Sequence, residues 1–263
     1  MKVVLFCGGM GMRLREYSDT IPKPLVDVGQ RPIMWHLMRY YAHYGHKDFV
    51  LCLGYGAHRI KEFFLRYDEW ATNDFVLADG GRHVEMLRTD IEDWRITFVD
   101  TGHESNVGER LRRVQPFVAG EEVFLANYAD GLSDLPLDTY IDEFLARPTA
   151  LACFLSVPLP QSFHIVHTAA DGEVTGLEPV AMSALRINAG FFVLRQAIFD
   201  YMNPGEELVV EPFARLVAEH KLMAHQYDGF WRPMDTFKDK LELDNIAAGG
   251  HAPWEVWSRS RTL

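Results

Sequence analysis

Lys2-Val3-Val4-Leu5-Phe6-Cys7-Gly8-Gly9-Met10-Gly11-Met12-Arg13 decides how this chain is read. Residues 2–7 form a short, nearly continuous apolar run closed by glycines, the pattern of a strand buried on both faces of a parallel sheet. The glycine-rich turn follows at once, where a parallel α/β sheet opens its ligand crevice. Two readings of the turn stand side by side. Gly8, Gly9 and Gly11 either serve a tight turn that needs positive φ, or let backbone N–H groups approach a phosphate chain, with Arg13 adding a charge-assisted donor. The spacing departs from G-x-G-x-x-G, and the Gly-Lys-Ser/Thr ending of a P-loop is absent. Ile21-Pro22-Lys23-Pro24-Leu25-Val26 favours the second reading. A lysine between two prolines loses little further backbone freedom when it meets an anion.

Outward from this stretch, strand-like and helix-like segments alternate. Ile33, Leu37, Met38, Tyr41 and Tyr44 recur near a helical period within residues 32–44, followed by a strand over 48–53 and a helix over 57–67. Further strands are predicted at 95–100, 122–127 and 150–157, with a helix over 137–146. The stretch 70–94 reads as an antiparallel excursion. After it come β pieces at 164–168, 173–177 and 185–194, then helices at 211–219 and 237–247. The pattern predicts an α/β fold: a Rossmann-like three-layer α/β/α sandwich with a mostly parallel central sheet and a smaller β-rich subregion. With no repeat or linker in sight, 1–263 is expected to be one domain, residues 1–157 forming one part and 158–263 the other.

The 263 residues are 48% hydrophobic and 24% charged, which excludes disorder, collagen and coiled coil. A formal net charge of −11 disfavours nucleic acid and anionic membrane as partners. Cys7, Cys52 and Cys153 each lie inside an apolar run without metal-ligand spacing, and are expected to be reduced, buried and structural. No apolar stretch reaches membrane-span length and no cleavage site follows the first strand, so a cytoplasmic, unprocessed protein is expected.

Two acids stand out. Asp130 follows the strand ending at Asn127, and Asp235 closes the approach Phe230-Trp231-Arg232-Pro233-Met234. Either is compatible with a helix cap or a turn, or with Mg²⁺, which takes one or two carboxylates and keeps other positions for phosphate and water.

The glycine loop, Pro22-Lys23-Pro24-Leu25-Val26, Tyr128-Ala129-Asp130-Gly131, Ile187-Asn188-Ala189-Gly190 and Phe230-Trp231-Arg232-Pro233-Met234-Asp235 together resemble the sugar-phosphate nucleotidyltransferases. Val99-Asp100-Thr101-Gly102, Arg110-Leu111-Arg112-Arg113 and Ala252-Pro253-Trp254 narrow the likeness to their glucose-1-phosphate cytidylyltransferase branch. The resemblance implies attack of an acceptor phosphate on the α-phosphorus of a nucleoside triphosphate, most simply CTP, with release of pyrophosphate. It implies catalytic roles for Arg13 and Lys23 and Mg²⁺ on Asp130 and Asp235. Nucleotide contacts fall to Gly8, Gly9, Gly11, Met12, Arg13, Thr101, Ser105, Gly108, Arg110 and Asp130. Acceptor contacts fall to Tyr128, His164, Glu178, Arg186 and Asn188. A homo-oligomer is also expected, with Trp254 and Trp257 either in an interface or packed on the domain.

Some positions depart from that pattern. Val107 and Glu109 replace the usual Thr and Gly of the base-selecting loop, which leaves UTP and dTTP open. Arg110 is either a base contact or a solvated helix-start residue. On the acceptor side the expected Glu-Lys-Pro reads Glu178-Pro179, so a phosphate-binding lysine is missing, worth about 1.5 to 3 kcal/mol as one charged hydrogen bond. Arg186 is the expected replacement, and an acceptor other than glucose 1-phosphate is the corresponding hypothesis. His36 is expected to be a packing residue. A non-catalytic nucleotide binder, a scaffold and a glycosyltransferase are the competing classes. The set Arg13, Lys23, Asp130 and Asp235 argues against a scaffold, and the lack of a local Asp-x-Asp pair after Asn127 argues against the glycosyltransferase.

Overall fold

The structure is a computed structural model and describes residues 1–9, 21–159 and 163–259. Strand β1 (Lys2–Phe6) is followed, past the undescribed stretch, by a 3-10 turn (Lys23–Leu25) and the hairpin of β2 (Asp27–Val28) and β3 (Arg31–Pro32). Then come α1 (Ile33–His43), β4 (Asp48–Leu53), α2 (Ala57–Leu65), the hairpin of β5 (Phe75–Ala78) and β6 (His83–Met86), β7 (Arg95–Asp100) and α3 (Val107–Val118). The middle of the chain supplies β8 (Val123–Tyr128), β9 (Gly131–Ser133), α4 (Leu137–Leu145) and β10 (Ala152–Pro158). A second hairpin, β11 (His164–Thr168) with β12 (Val174–Pro179), precedes β13 (Arg186–Asn188) and β14 (Phe192–Arg195). The chain continues through α5 (Glu211–Ala218), β15 (Leu222–Gln226), β16 (Trp231–Pro233), α6 (Phe237–Ala248) and α7 (Val256–Arg259).

The central sheet has the order β13-β10-β14-β8-β1-β4-β7, with β15 along β10. β1 pairs in parallel with β4 and β8, β4 with β7, and β10 with β15. β13 and β14 run against their neighbours. The alternation along β1 shows why its sequence is apolar throughout. Val3 and Leu5 enter one core with Leu37 and Met38 of α1 and Phe144 of α4. Val4 and Phe6 enter the opposite core with Leu111 and Val114 of α3 and Phe213 and Leu216 of α5. Helices therefore cover both faces, giving the expected three layers.

The predicted strand over 185–194 is two strands. Gly190 (φ 77°) and Phe191 (φ 50°) break it, because the Phe191 N–H donates to the Asn127 side chain at 3.0 Å and its carbonyl accepts from the Tyr140 hydroxyl at 2.7 Å. β15 and the ribbon of β9 with β16 are additions that sequence pattern did not predict. The 70–94 excursion is an antiparallel hairpin, anchored by buried Asp90, which accepts from Tyr67 at 3.1 Å and Asn73 at 2.8 Å.

All three cysteines are free and buried. His36 is a packing residue: Nε2–H donates to the Val28 carbonyl at 2.9 Å and Nδ1 accepts from Trp254 Nε1 at 3.3 Å. Trp254 is fully buried in the chain's own core. Among the described residues no helix is long and apolar enough to cross a membrane.

Candidate active site

Strand register gathers the site at one end of the sheet. Phe6 lies opposite both Cys52 of β4 and Tyr128 of β8, and Leu53 lies opposite Asp100 of β7. Each strand then runs a residue or two further, so Gly8, Gly54, Thr101 and Asp130 emerge together at the carboxyl edge.

A second register delivers Asp235. In the β9–β16 ribbon Gly131 faces Pro233, and the Met234 N–H donates to the Asp130 carbonyl at 2.8 Å. Asp235 is thereby held beside Asp130 although the two are far apart in sequence. Its own N–H donates to Asp239, whose carboxylate closes a capping box with Thr236 at the start of α6.

Lys23 enters from the opposite side. Pro22 and Pro24 set its backbone, Leu25 N–H donates to the Pro22 carbonyl at 2.8 Å, and the Pro22 ring packs on Gly56 so closely that a Cβ there would lie 2.3 Å from it. Lys23 Nζ donates to Asp130 Oδ2 and to Asp235 Oδ1, each at 2.6 Å. The lysine side chain is 14% exposed, against 31% for Asp130 and 42% for Asp235. Burial works against the ammonium's charge, but Asp130 and then Asp235 outweigh it and raise the pKa. The two carboxylates thus converge on one cation, with oxygen donors that suit Mg²⁺. Among the described residues no group of three or more His, Cys, Asp or Glu forms a metal cage. A divalent cation on these two acids would complete its shell with phosphate and water.

Arg110 forms the crevice floor. It is 2% exposed, which removes the solvated reading. Nη1 donates to the Leu53 carbonyl at 3.1 Å and to Thr101 Oγ1 at 2.8 Å, and Nη2 to the His103 carbonyl at 3.3 Å. A Cβ on Gly8 would lie 2.2 Å from this guanidinium, and one on Gly54 2.7 Å from it. Gly8 is therefore required by the arginine beneath it and not by positive φ, whereas a Cβ on Gly9 would have no described residue within 4 Å. Gly108 is demanded by packing too: a Cβ would meet the Glu206 carbonyl at 2.2 Å. Ser105 lines an open cavity of about 700 Å³ with Gly102, Glu109 and Arg113. Gly11, Met12 and Arg13 lie outside the described residues.

The acceptor residues divide into two groups. Tyr128 hydrogen-bonds Asn188 beside Asp130, and burial, followed by the charges of Glu207 and Asp130, pushes the phenol up to about 12. Glu178 and His164 sit on the β11–β12 hairpin, where Glu178 is 3.6 Å from His167 and His164 is exposed. Arg186 does not stand free to replace the lysine. Its guanidinium donates to the Ser156 carbonyl at 2.7 Å, the Tyr227 carbonyl at 2.9 Å and Asp228 at 2.9 Å. It fastens β13 to β10 and to the segment leading toward Asp235.

Sequence reasoning missed three supporting groups. Arg113 donates to the Thr101 carbonyl at 3.0 Å, Glu109 holds Arg113 at 3.0 Å, and Asn127 bridges Tyr41 and Phe191. An Asn ending an apolar strand was the one available signal, since a buried amide needs partners.

Comparison with known proteins identifies the family. The sequence profile of the nucleotidyl transferase family matches residues 2–243. The glucose-1-phosphate cytidylyltransferase of Salmonella typhimurium is 38% identical over 259 residues, covering 98% of this chain and all of that protein. A mannose-1-phosphate guanyltransferase of Yarrowia lipolytica is 26% identical over 92% of this chain and 62% of its own length. The crystal structure of a UDP-glucose pyrophosphorylase complexed with UDP-glucose superimposes with a TM-score of 0.69, covering 95% of this chain and 98% of that one at 14% identity, a likeness of fold. From the first strand to α6, then, the chain belongs to the nucleotidyl transferase family, and by full-length likeness it stands with the glucose-1-phosphate cytidylyltransferases.

Proposed function

We propose that this enzyme transfers CMP from CTP to a sugar 1-phosphate. An acceptor phosphate oxygen bonds to the α-phosphorus, the bond from that phosphorus to the bridging oxygen breaks, and pyrophosphate leaves with the electron pair. The observation that carries the reading is the convergence of Lys23, Asp130 and Asp235 at the carboxyl edge of the sheet, above buried Arg110. The acceptor phosphate is already an anion at neutral pH, so no general base is needed and the chemistry rests on positioning and charge.

Asp130 and Asp235 would hold Mg²⁺, which when bound neutralises phosphate charge. Lys23 presents its ammonium to the α-phosphate, where charge develops during transfer. Arg110 and Thr101, both buried, would brace from beneath the wall against which a pyrimidine is read, through the hydrogen bonds from Arg110 to Thr101 and to the His103 carbonyl. Arg13 and the Gly11–Met12 backbone keep their role as triphosphate ligands on sequence grounds. Tyr128 and Asn188 line the acceptor side next to Asp130, with Glu178 and His164 on the hairpin beyond. In this reading residues 1–157 and 158–263 are the nucleotide and acceptor parts of one domain.

The test is pyrophosphate release with Mg²⁺ across CTP, UTP and dTTP, each paired with glucose 1-phosphate and a panel of other phosphorylated acceptors. Release with CTP and a sugar 1-phosphate is expected. Efficient turnover of glucose 1-phosphate alone retires the altered-acceptor hypothesis. Silence across the panel with triphosphate binding intact overturns the catalytic reading.

A further inference from the structure

Lys23 stands where the reading above puts a divalent cation. Its ammonium already neutralises part of the Asp130–Asp235 pair, through two contacts of 2.6 Å from one nitrogen. Site charge, counting these three side chains, is −1, where a bare pair would carry −2. A metal ion approaching it meets a carboxylate pair already occupied by a positive charge, and must drive that charge off while giving up its own water, which Mg²⁺ does reluctantly.

We propose that Lys23 is an exchangeable counter-ion: with nucleotide absent it competes with divalent metal for Asp130 and Asp235, and it yields them when a triphosphate offers the ammonium another anion. The inference rests on the reading of those aspartates as cation ligands. The backbone around Lys23 makes the exchange a side-chain movement. Pro22 and Pro24 fix the 3-10 turn, Val26 N–H closes it on the Lys23 carbonyl at 3.1 Å, and Pro22 is locked against Gly56. What remains free is the four-carbon stem, which can swing a compact point charge from one anion to another in a way that a planar guanidinium cannot. Among the described residues, Arg110 at the crevice floor is spent on three protein oxygens and cannot take over. The consequence is linkage. Triphosphate relieves the competition, so nucleotide and metal favour each other's binding beyond their direct contact. The free enzyme is spared a loosely held metal and takes it up together with the nucleotide.

Mn²⁺ is the probe, with free ion counted by electron paramagnetic resonance in titrations of the full chain without nucleotide. Lys23→Met is expected to bind Mn²⁺ about tenfold or more tightly than the wild type, the scale on which one adjacent charge biases a site. Lys23→Arg, which keeps the charge, should stay near the wild type. Lys47→Met, which removes a distant lysine paired with Asp93, should leave binding unchanged. Equal or weaker binding by Lys23→Met, while Asp130→Asn and Asp235→Asn abolish it, overturns the counter-ion proposal and leaves the metal assignment standing. Wild-type Mn²⁺ affinity in both Asn variants removes the metal assignment and the proposal with it. Equal tightening by Lys47→Met reduces the effect to net charge and also overturns the proposal. Thermal melts and circular dichroism verify that each variant is folded.

Discussion

At the scale of single residues, neighbouring glycines in one loop have different reasons for being glycine. Gly8 lies on the buried Arg110 guanidinium, which three hydrogen bonds hold in place, whereas a Cβ on Gly9 would meet no described residue within 4 Å. Gly8→Ala should therefore cost about 1–3 kcal/mol, as overpacking does, and raise the KM for CTP by displacing Arg110. Gly9→Ala should leave the unfolding free energy from urea titration within about 0.5 kcal/mol of the wild type. Equal midpoints for the two would contradict the packing account. His36 makes a separate prediction. Burial, its leading perturbation, lowers its pKa from the ordinary 6.5 to about 4. Above pH 6.5 the imidazole is neutral folded or unfolded and costs nothing. As pH falls from 6.5 towards 4, the unfolded chain takes a proton that the folded chain refuses, so stability falls. At 1.36 kcal/mol per unit the loss is about 3 kcal/mol by pH 4. His36→Gln should flatten that acid limb in urea titrations at pH 7 and pH 5. A slope unchanged from the wild type would place the acid sensitivity elsewhere, with His46, also lowered to about 4, next in line.

At the scale of elements, the start of α3 is the device that shapes the proposed base wall. Asn106 caps the helix by accepting from the Glu109 N–H at 2.8 Å, and the Glu109 carboxylate grips Arg112 and Arg113. Arg113 then holds the Thr101 carbonyl while Arg110 holds the Thr101 hydroxyl, so β7 and α3 are clasped at one residue from two sides. Glu109→Gly or Arg113→Met should raise the KM for CTP about three- to tenfold, the worth of one partly exposed clasp, and leave kcat unchanged. Arg113→Lys should restore part of the loss. A fall in kcat at constant KM would contradict a positioning role. The elements also show what sequence could and could not reveal. β1, its glycine turn and Lys23 between prolines are local patterns, legible because a strand's hydropathy and a proline's φ act within a few residues, whereas the acids at 130 and 235 read equally as caps or turns and are singled out by the family resemblance. β16 has three residues and β15 five, and their place depends on partners far along the chain, Gly131 for Pro233 and Ala152 for Leu222. The packing reason for Gly8 was hidden in the same way, since its neighbour lies on α3. Arg186 shows the converse limit. Its residue type suggested a phosphate ligand, while its hydrogen bonds to Ser156, Tyr227 and Asp228 make it a fastening between strands.

At the scale of the whole molecule, the candidate site is a long-range closure. Lys23 precedes α1, Asp130 follows β8, and Asp235 follows β16, so their side chains meet only when the central sheet and the β9–β16 ribbon are both formed. An unfolded chain has no such constellation, and a ligand that needs all three binds the folded state alone. Binding of CTP with Mg²⁺ must then stabilise the whole fold by RT ln(1 + [L]/Kd), about 2.7 kcal/mol at a hundredfold excess over Kd. For a chain of this length that corresponds to a rise in Tm of roughly 5–10 °C. The rise should require both partners: CTP with chelator should give a smaller shift, and Mg²⁺ alone a smaller one still, because Lys23 already satisfies the carboxylates. In Asp130→Asn and Asp235→Asn the metal-dependent part should vanish while that of CTP alone persists. Differential scanning fluorimetry over a CTP series, with and without Mg²⁺, measures all of these. If the Asn variants gained as much as the wild type from adding Mg²⁺ to CTP, the metal would be acting through the nucleotide alone, and the two acids would be left as partners of Lys23.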